Sequence, residues 1–158
     1  MQPTLLAVLM CVVAAVLEGW AAGGGVRARF AELRLPRYSP PLAVWVGIGI
    51  GYYVICFLIL RRLFAMPLRD RGIQLALGLL GALMLVNAGW GLLFFRLRDL
   101  RLSFLAFPPY GLLALALAAA LLRVDPPAAK ILLPYLLYLV YATWWGYRLW
   151  RLNAPKPA

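Results

Sequence analysis

IQLALGLLGALMLVNAGWGLLFF, residues 73–95, is a run of 23 positions without a single charged side chain. At about 1.5 Å rise per residue, such a run wound as a helix crosses the roughly 30 Å hydrocarbon core of a bilayer. It lacks the alternation of period two that a barrel strand requires, so a helix is the reading. Four more apolar runs of the same kind lie at 4–22, 42–60, 102–122 and 130–150, each bounded by Arg, Pro or Gly. The chain of 158 residues is therefore expected to be an all-α membrane protein, a five-transmembrane-helix bundle forming one domain over 1–158.

Composition agrees with this. Hydrophobic residues make up 65% and charged residues 13%, with mean hydropathy +0.87, whereas a soluble domain is about half apolar and a quarter charged. The formal net charge of +11 would point to nucleic acid in a soluble protein. Here the basic residues fall between the apolar runs, which makes them headgroup and topology charges, and no nucleic-acid partner is expected. The chain contains no histidine. That removes Ser-His triads, His-bound zinc and a His haem ligand together.

The first run has no basic residues before it, and Met10 ahead of Cys11 is too bulky for a lipoprotein cleavage box. A cleaved signal peptide is not expected. Arg27, Arg29, Arg34, Arg37, Arg96, Arg98, Arg101, Arg148, Arg151 and Lys156 share one side of the membrane. Arg61, Arg62, Arg69, Arg71, Arg123 and Lys130 share the other. The excess on the first side places the N-terminus outside and the C-terminus in the cytoplasm. The connecting loops are too short to hold a soluble catalytic domain, so any chemistry or binding lies among the helices.

Between the first two runs, residues 23–41 interleave Phe30, Leu33, Leu35 and Tyr38 with four arginines and end in Pro40-Pro41. Such a segment either lies at the interface or folds as a lid over the bundle mouth. In the latter case Arg34, Arg37 and Tyr38 are placed to meet an anionic group on a ligand. Glu18 is the one ionisable residue inside a run. It is expected either to snorkel toward an arginine such as Arg27 or to grip a polar part of a ligand. Asn87 lies in mid-run and needs a partner, from another helix or from a ligand.

Aromatic residues are abundant: six Trp, eight Tyr and seven Phe. Trp20 and Trp150, near run ends, read as interfacial belt. Tyr138, Tyr141 and Trp145 follow helical spacing along one face, with Tyr135 and Trp90 also deep in their runs. Rings and a lone amide turned inward suit a flat apolar ligand, although such stripes also serve plain packing. Gly47-x-x-x-Gly51 and Gly78-x-x-x-Ala82 offer small faces for close helix packing or for a homodimer. Cys11 and Cys56 lie in separate runs and read as packing. Pro108-Pro109 should either kink the fourth helix or mark a shifted start. A start there would leave only about 15 residues to Leu122, too few to cross, so the kink is the expectation. Pro134 is expected to fall in the first turn of the last helix.

In order and spacing, three stretches of this chain resemble the translocator-protein family, also called TspO/MBR or tryptophan-rich sensory proteins. Leu35-Pro36-Arg37-Tyr38-Ser39-Pro40-Pro41 is similar to its Pro-x-Trp-x-Pro-Pro entry to helix two, with Tyr38 in place of Trp. Asn87-Ala88-Gly89-Trp90-Gly91-Leu92-Leu93-Phe94-Phe95 resembles its Asn-x-x-Trp-Ser-x-Leu-Phe-Phe segment. Leu133-Pro134-Tyr135-Leu136-Leu137-Tyr138, continuing to Trp150-Arg151-Leu152-Asn153, resembles its final helix.

The resemblance implies a five-helix bundle, often dimeric, with a cavity under the first long loop that takes porphyrins, sterols or synthetic aromatic ligands. It implies that Asn87 and Trp90 line or border that cavity and that Tyr135, Tyr138 and Ala142 face it. Tyr53 matches the Tyr that closes the family's helix-two motif. The family's two helix-two tryptophans fall on Ala43 and Gly49 here, and its helix-five Trp on Tyr138. Trp45, one turn from Gly49, is expected to refill part of that space. No Leu or Val stands shortly before Tyr147, so the sterol-type pattern is incomplete.

Three functions follow as expectations. The first is a non-enzymatic receptor or carrier for a hydrophobic aromatic or porphyrin-like tetrapyrrole ligand, in which Trp45, Tyr53, Asn87, Trp90, Tyr135, Tyr138, Tyr141 and Ala142 form the site. No cofactor is required, and a haem-like tetrapyrrole would enter as ligand. The second is a membrane enzyme converting such a substrate, which the lack of His and of paired acids disfavours. The third is an assembly protein that binds another membrane helix.

Overall fold

The computed structural model describes residues 2–154. Lys156, counted above among the topology charges, lies outside the described residues. Within them the chain is all-helical and has no strand. Helix α1 spans Pro3–Ala22, and a short α2 spans Val26–Glu32. Helix α3 is Leu42–Phe64; α4 is Arg71–Gly91 and runs directly into a π-helical turn, Leu92–Arg96. Then come α5, Leu100–Leu105, α6, Phe107–Val124, and α7, Pro126–Asn153.

Local chemistry sets these ends. Pro3 opens α1 in its first turn, where a missing N–H costs nothing. At the other end Gly23 takes φ +67°, a conformation that favours glycine, and its N–H donates to the Gly19 carbonyl at 3.0 Å. The Asp70 carboxylate caps α4 by accepting from the N–H groups of Gly72 at 2.7 Å and Ile73 at 3.2 Å. Asp99 caps α5 through the Leu102 N–H at 2.8 Å.

Helix α1 packs on α3 and α4, α4 on α6, α6 on α7, and α7 back on α3. Each long helix thus has two long neighbours around this ring, and α3 also touches α4 across it. At one end the interior is solid. Ile59, Leu60 and Leu63 of α3 meet Leu80 and Leu83 of α4, Leu117 and Leu121 of α6 and Leu132 of α7, all fully or almost fully buried. There too the Arg62 guanidinium forks onto Asp125, with Nε to Oδ2 at 2.7 Å and Nη2 to Oδ1 at 2.8 Å. This ties the end of α3 to the α6–α7 turn.

The outward faces are apolar. Val16 of α1, Ile50 of α3, Leu75 and Leu85 of α4, Leu112 of α6 and Val140 of α7 are all exposed. In water such a surface would aggregate; in a bilayer it is solvated. Pro3–Ala22, Leu42–Phe64, Arg71–Arg96 and Leu100–Val124 are each long and apolar enough to cross a membrane. The chain is an integral, multi-pass membrane protein.

Three local expectations need correction. The helical chain does not run through Pro108-Pro109 with a kink. It breaks at Ala106, and α6 begins at Phe107 with both prolines in its first turn, where neither removes a needed N–H. Pro134 is not in the first turn of the last helix, because Pro126-Pro127 start α7 two turns earlier and leave Pro134 inside it. The Gly78-x-x-x-Ala82 stripe does not build the helix packing within the chain. Gly78 is exposed, and a Cβ there would meet nothing within 4 Å. The buried face of α4 is instead Ile73, Ala76, Leu80, Leu83 and Met84.

Candidate functional site

At the end opposite the solid core the long helices part around a pocket of about 430 Å³. Each lends its own stretch: Ala15, Glu18 and Gly19 from α1; Trp45, Gly49, Tyr52 and Tyr53 from α3; Asn87 and Trp90 from α4. Phe107 and Tyr110 come from the start of α6, and Tyr135, Tyr138 and Trp145 from α7. Glycine at positions 19 and 49 leaves space that a larger side chain would fill, since a Cβ at either meets nothing within 4 Å.

Helix α2 covers one side. Its Val26 and Phe30 join the lining, and the Phe30 ring lies 6.4 Å from Trp145 and 6.5 Å from Trp45, centroid to centroid. The segment from 23 to 41 thus lends Val26 and Phe30 to the pocket wall. It is pinned there by α7. The Tyr141 hydroxyl donates to the Tyr38 carbonyl at 2.9 Å, the Trp145 indole N–H to Ser39 Oγ at 3.0 Å, and Asn153 exchanges two bonds with the Arg34 backbone, each 3.0 Å.

The aromatic walls are held by their neighbours. Trp90 stacks on Phe94, with centroids 4.8 Å apart and planes 17° apart, and its indole N–H donates to the Ser103 carbonyl at 3.1 Å. Trp45 packs 4.7 Å from Trp145. Tyr52 and Tyr135 lie 4.9 Å apart, and the hydroxyls of Tyr110 and Tyr135 are hydrogen-bonded to each other. The polar patch is small. Glu18 Oε2 accepts from the Tyr53 hydroxyl at 2.6 Å and from Asn87 Nδ2 at 3.2 Å.

Of the residues expected at the site, Trp45, Tyr53, Asn87, Trp90, Tyr135 and Tyr138 line the pocket. Tyr141 and Ala142 do not. Tyr141 is turned toward the loop as its hydroxyl bond to Tyr38 requires, and Ala142 is buried within the α7 packing. Arg34, Arg37 and Tyr38 also stand off the lining: the Arg37 guanidinium sits 5.7 Å from the Tyr38 ring centre, and Tyr38 is exposed. The expected pairing of Glu18 with Arg27 is replaced by bonds to Tyr53 and Asn87. Tyr52, Phe107 and Tyr110 were not singled out by the sequence. The signal was the prolines before Tyr110: a helix that starts there puts Phe107 and Tyr110 at its mouth.

Fold and site together define a multi-pass helical membrane protein with an aromatic-walled pocket to which the 23–41 segment contributes. The TspO/MBR family model matches residues 7–151. The translocator protein of Ovis aries is 32% identical over 132 residues, covering 78% of this chain and 74% of that protein. That of Bos taurus is 30% identical over 132 residues, with the same two coverages. The chain belongs to the TspO/MBR family.

Proposed function

We propose that this protein is a receptor or carrier for a flat, hydrophobic aromatic molecule, with porphyrin-like tetrapyrroles within that class, and that the pocket is its binding site. One observation carries the reading: aromatic faces from separate helices, Trp45, Trp90, Tyr138 and Trp145, converge on one space with a single small polar patch. A volume of about 430 Å³ falls in the range of small-molecule sites, roughly 300–1,000 Å³. The relatives' name, translocator protein, accords with carriage of such a ligand.

In this reading α7 is a fifth membrane-crossing helix of the bundle. Its Tyr, Trp and Pro residues depress its hydropathy, yet Leu133, Leu137 and Val140 form an exposed apolar stripe along it. Its 28 residues reach about 42 Å, more than the hydrocarbon requires. The bias of basic residues then puts the N-terminus outside and the pocket end, with the C-terminus, at the cytoplasmic face. A ligand with carboxylates would meet the arginines of the 23–41 loop at the mouth.

The test is titration of the purified protein in nanodiscs with protoporphyrin IX, following tryptophan fluorescence and porphyrin absorbance. Saturable quenching is expected, weakened about tenfold in Trp90→Ala, since loss of a stacked aromatic face removes roughly 1–3 kcal/mol. Absorbance should hold steady. Loss of absorbance that requires the protein would make it an enzyme, and quenching that never saturates would refute the site.

A further inference from the structure

A carboxyl group within a membrane-spanning helix is expensive, and where one is kept something offsets its charge. Glu18 is such a group, in α1 and on the wall of the pocket. Its two bonds, from Tyr53 and Asn87, come from neutral donors and both fall on Oε2. Oε1 accepts no hydrogen bond, and no salt bridge among the described residues involves Glu18. Two arginines at this end of the bundle are engaged elsewhere: Arg29 with the Arg98 carbonyl and Glu32, Arg96 with the Trp20 carbonyl and ring.

The same pocket is walled by the rings of Trp45, Tyr53, Trp90 and Tyr138. Aromatic faces attract a cation through the negative charge over the ring, more so where water is excluded. A carboxylate on the same wall adds direct attraction in a medium of low effective dielectric. Neutral donors can orient Glu18, but they cannot serve as the counter-charge of a carboxylate. A cation brought by the ligand can.

Resting on the reading of the pocket as a ligand site for flat apolar molecules, we propose that within this class the pocket prefers those that carry an ammonium group, and that Glu18 is the residue that selects them. Tyr53 and Asn87 act as positioning residues: they hold Oε2 and leave Oε1 for the ammonium. The apolar body lies between the Trp and Tyr faces.

The experiment uses two fluorescent probes in phosphatidylcholine nanodiscs, pyrenylmethyl-trimethylammonium and its neutral isostere in which carbon replaces the nitrogen. The charge of neither depends on pH, and the zwitterionic lipid adds no net surface charge. The wild-type protein should bind the cation about tenfold more tightly than the isostere. Glu18→Gln should bring that ratio close to one, and Glu18→Ala serves where Gln fails to assemble. A wild-type ratio near one overturns the proposal while leaving the pocket as a site for neutral ligands. An unchanged ratio in the variants overturns the assignment to Glu18. Binding of neither probe overturns this proposal, while the reading of the pocket as a ligand site stands or falls with the protoporphyrin titration.

Discussion

Gly146 shows how narrowly some contacts in this protein are set. It is buried in α7, and a Cβ there would stand 2.7 Å from Cε2 of Phe107, the residue that opens α6 and lines the pocket. Gly146→Ala must push that ring aside. The expected cost is about 1–3 kcal/mol, the usual range for forcing a methyl group into a filled space. The matching control is Gly78→Ala, where nothing lies within 4 Å, and where replacing a helical glycine should gain up to about 1 kcal/mol. Thermal unfolding in detergent separates the two; a Gly146→Ala protein as stable as Gly78→Ala would mean that the two helices are not in this close contact. Glu18 was legible as the residue with a problem but not as to its solution. Its partners lie 35 and 69 positions away, and nothing in the local sequence distinguishes Tyr53 and Asn87 from Arg27 as the answer.

Among the helices, α4 has the most explicit start signal: Asp70 covers two otherwise orphaned N–H groups. Asp70→Ala should therefore cost about 1 kcal/mol, while Asp70→Asn, which keeps an acceptor oxygen, should cost less. Equal losses in thermal stability would argue that charge, and not the cap, matters at this position. The apolar runs were readable because lipid demands some 20 apolar residues for each crossing, a signal that survives without any knowledge of neighbours. Proline positions were not so readable. Whether Pro108-Pro109 kinks a helix or begins one depends on whether the preceding segment packs as a separate turn, and α5, with Trp150 stacked on its Phe104, does so. Pro134 was misplaced because a pair of prolines, Pro126-Pro127, had already begun α7 outside the apolar run. The inner face of α7 was only half legible: helical spacing put Tyr138, Tyr141 and Trp145 on one stripe, yet Tyr141 turns to the loop backbone instead.

Across the whole molecule the interior divides into a packed end and a hollow end, and the packed end carries a buried charged clamp between distant elements. Asp125 is buried in the α6–α7 turn, and Arg62 reaches it from α3. Hydrogen bonding from Arg62 holds the Asp125 carboxyl below its ordinary value of 3.8, against the opposing effect of burial. A group with a lowered folded-state pKa contributes stability that is present above its unfolded value and is lost as the pH falls through the folded one. Acidification below 3.8 should thus loosen the packed end while leaving the uncharged aromatic walls of the pocket in place. In Arg62→Met the burial outweighs the one remaining opposing effect, the backbone hydrogen bond from Ala128, so Asp125 titrates above its ordinary value and the variant should gain stability as acid neutralises it. The two proteins should therefore respond to acid in opposite senses at this site, and the difference between their unfolding midpoints should shrink steadily as the pH is lowered. Taking that difference cancels the contributions of the other four acidic residues, Glu18, Glu32, Asp70 and Asp99, which both proteins share. Asp125→Asn removes the titrating group, so the pH dependence of its midpoint should fall between those of the other two. A difference between wild type and Arg62→Met that stays constant with pH would mean that Asp125 and Arg62 do not interact, and that apolar packing alone holds α3 to the α6–α7 turn.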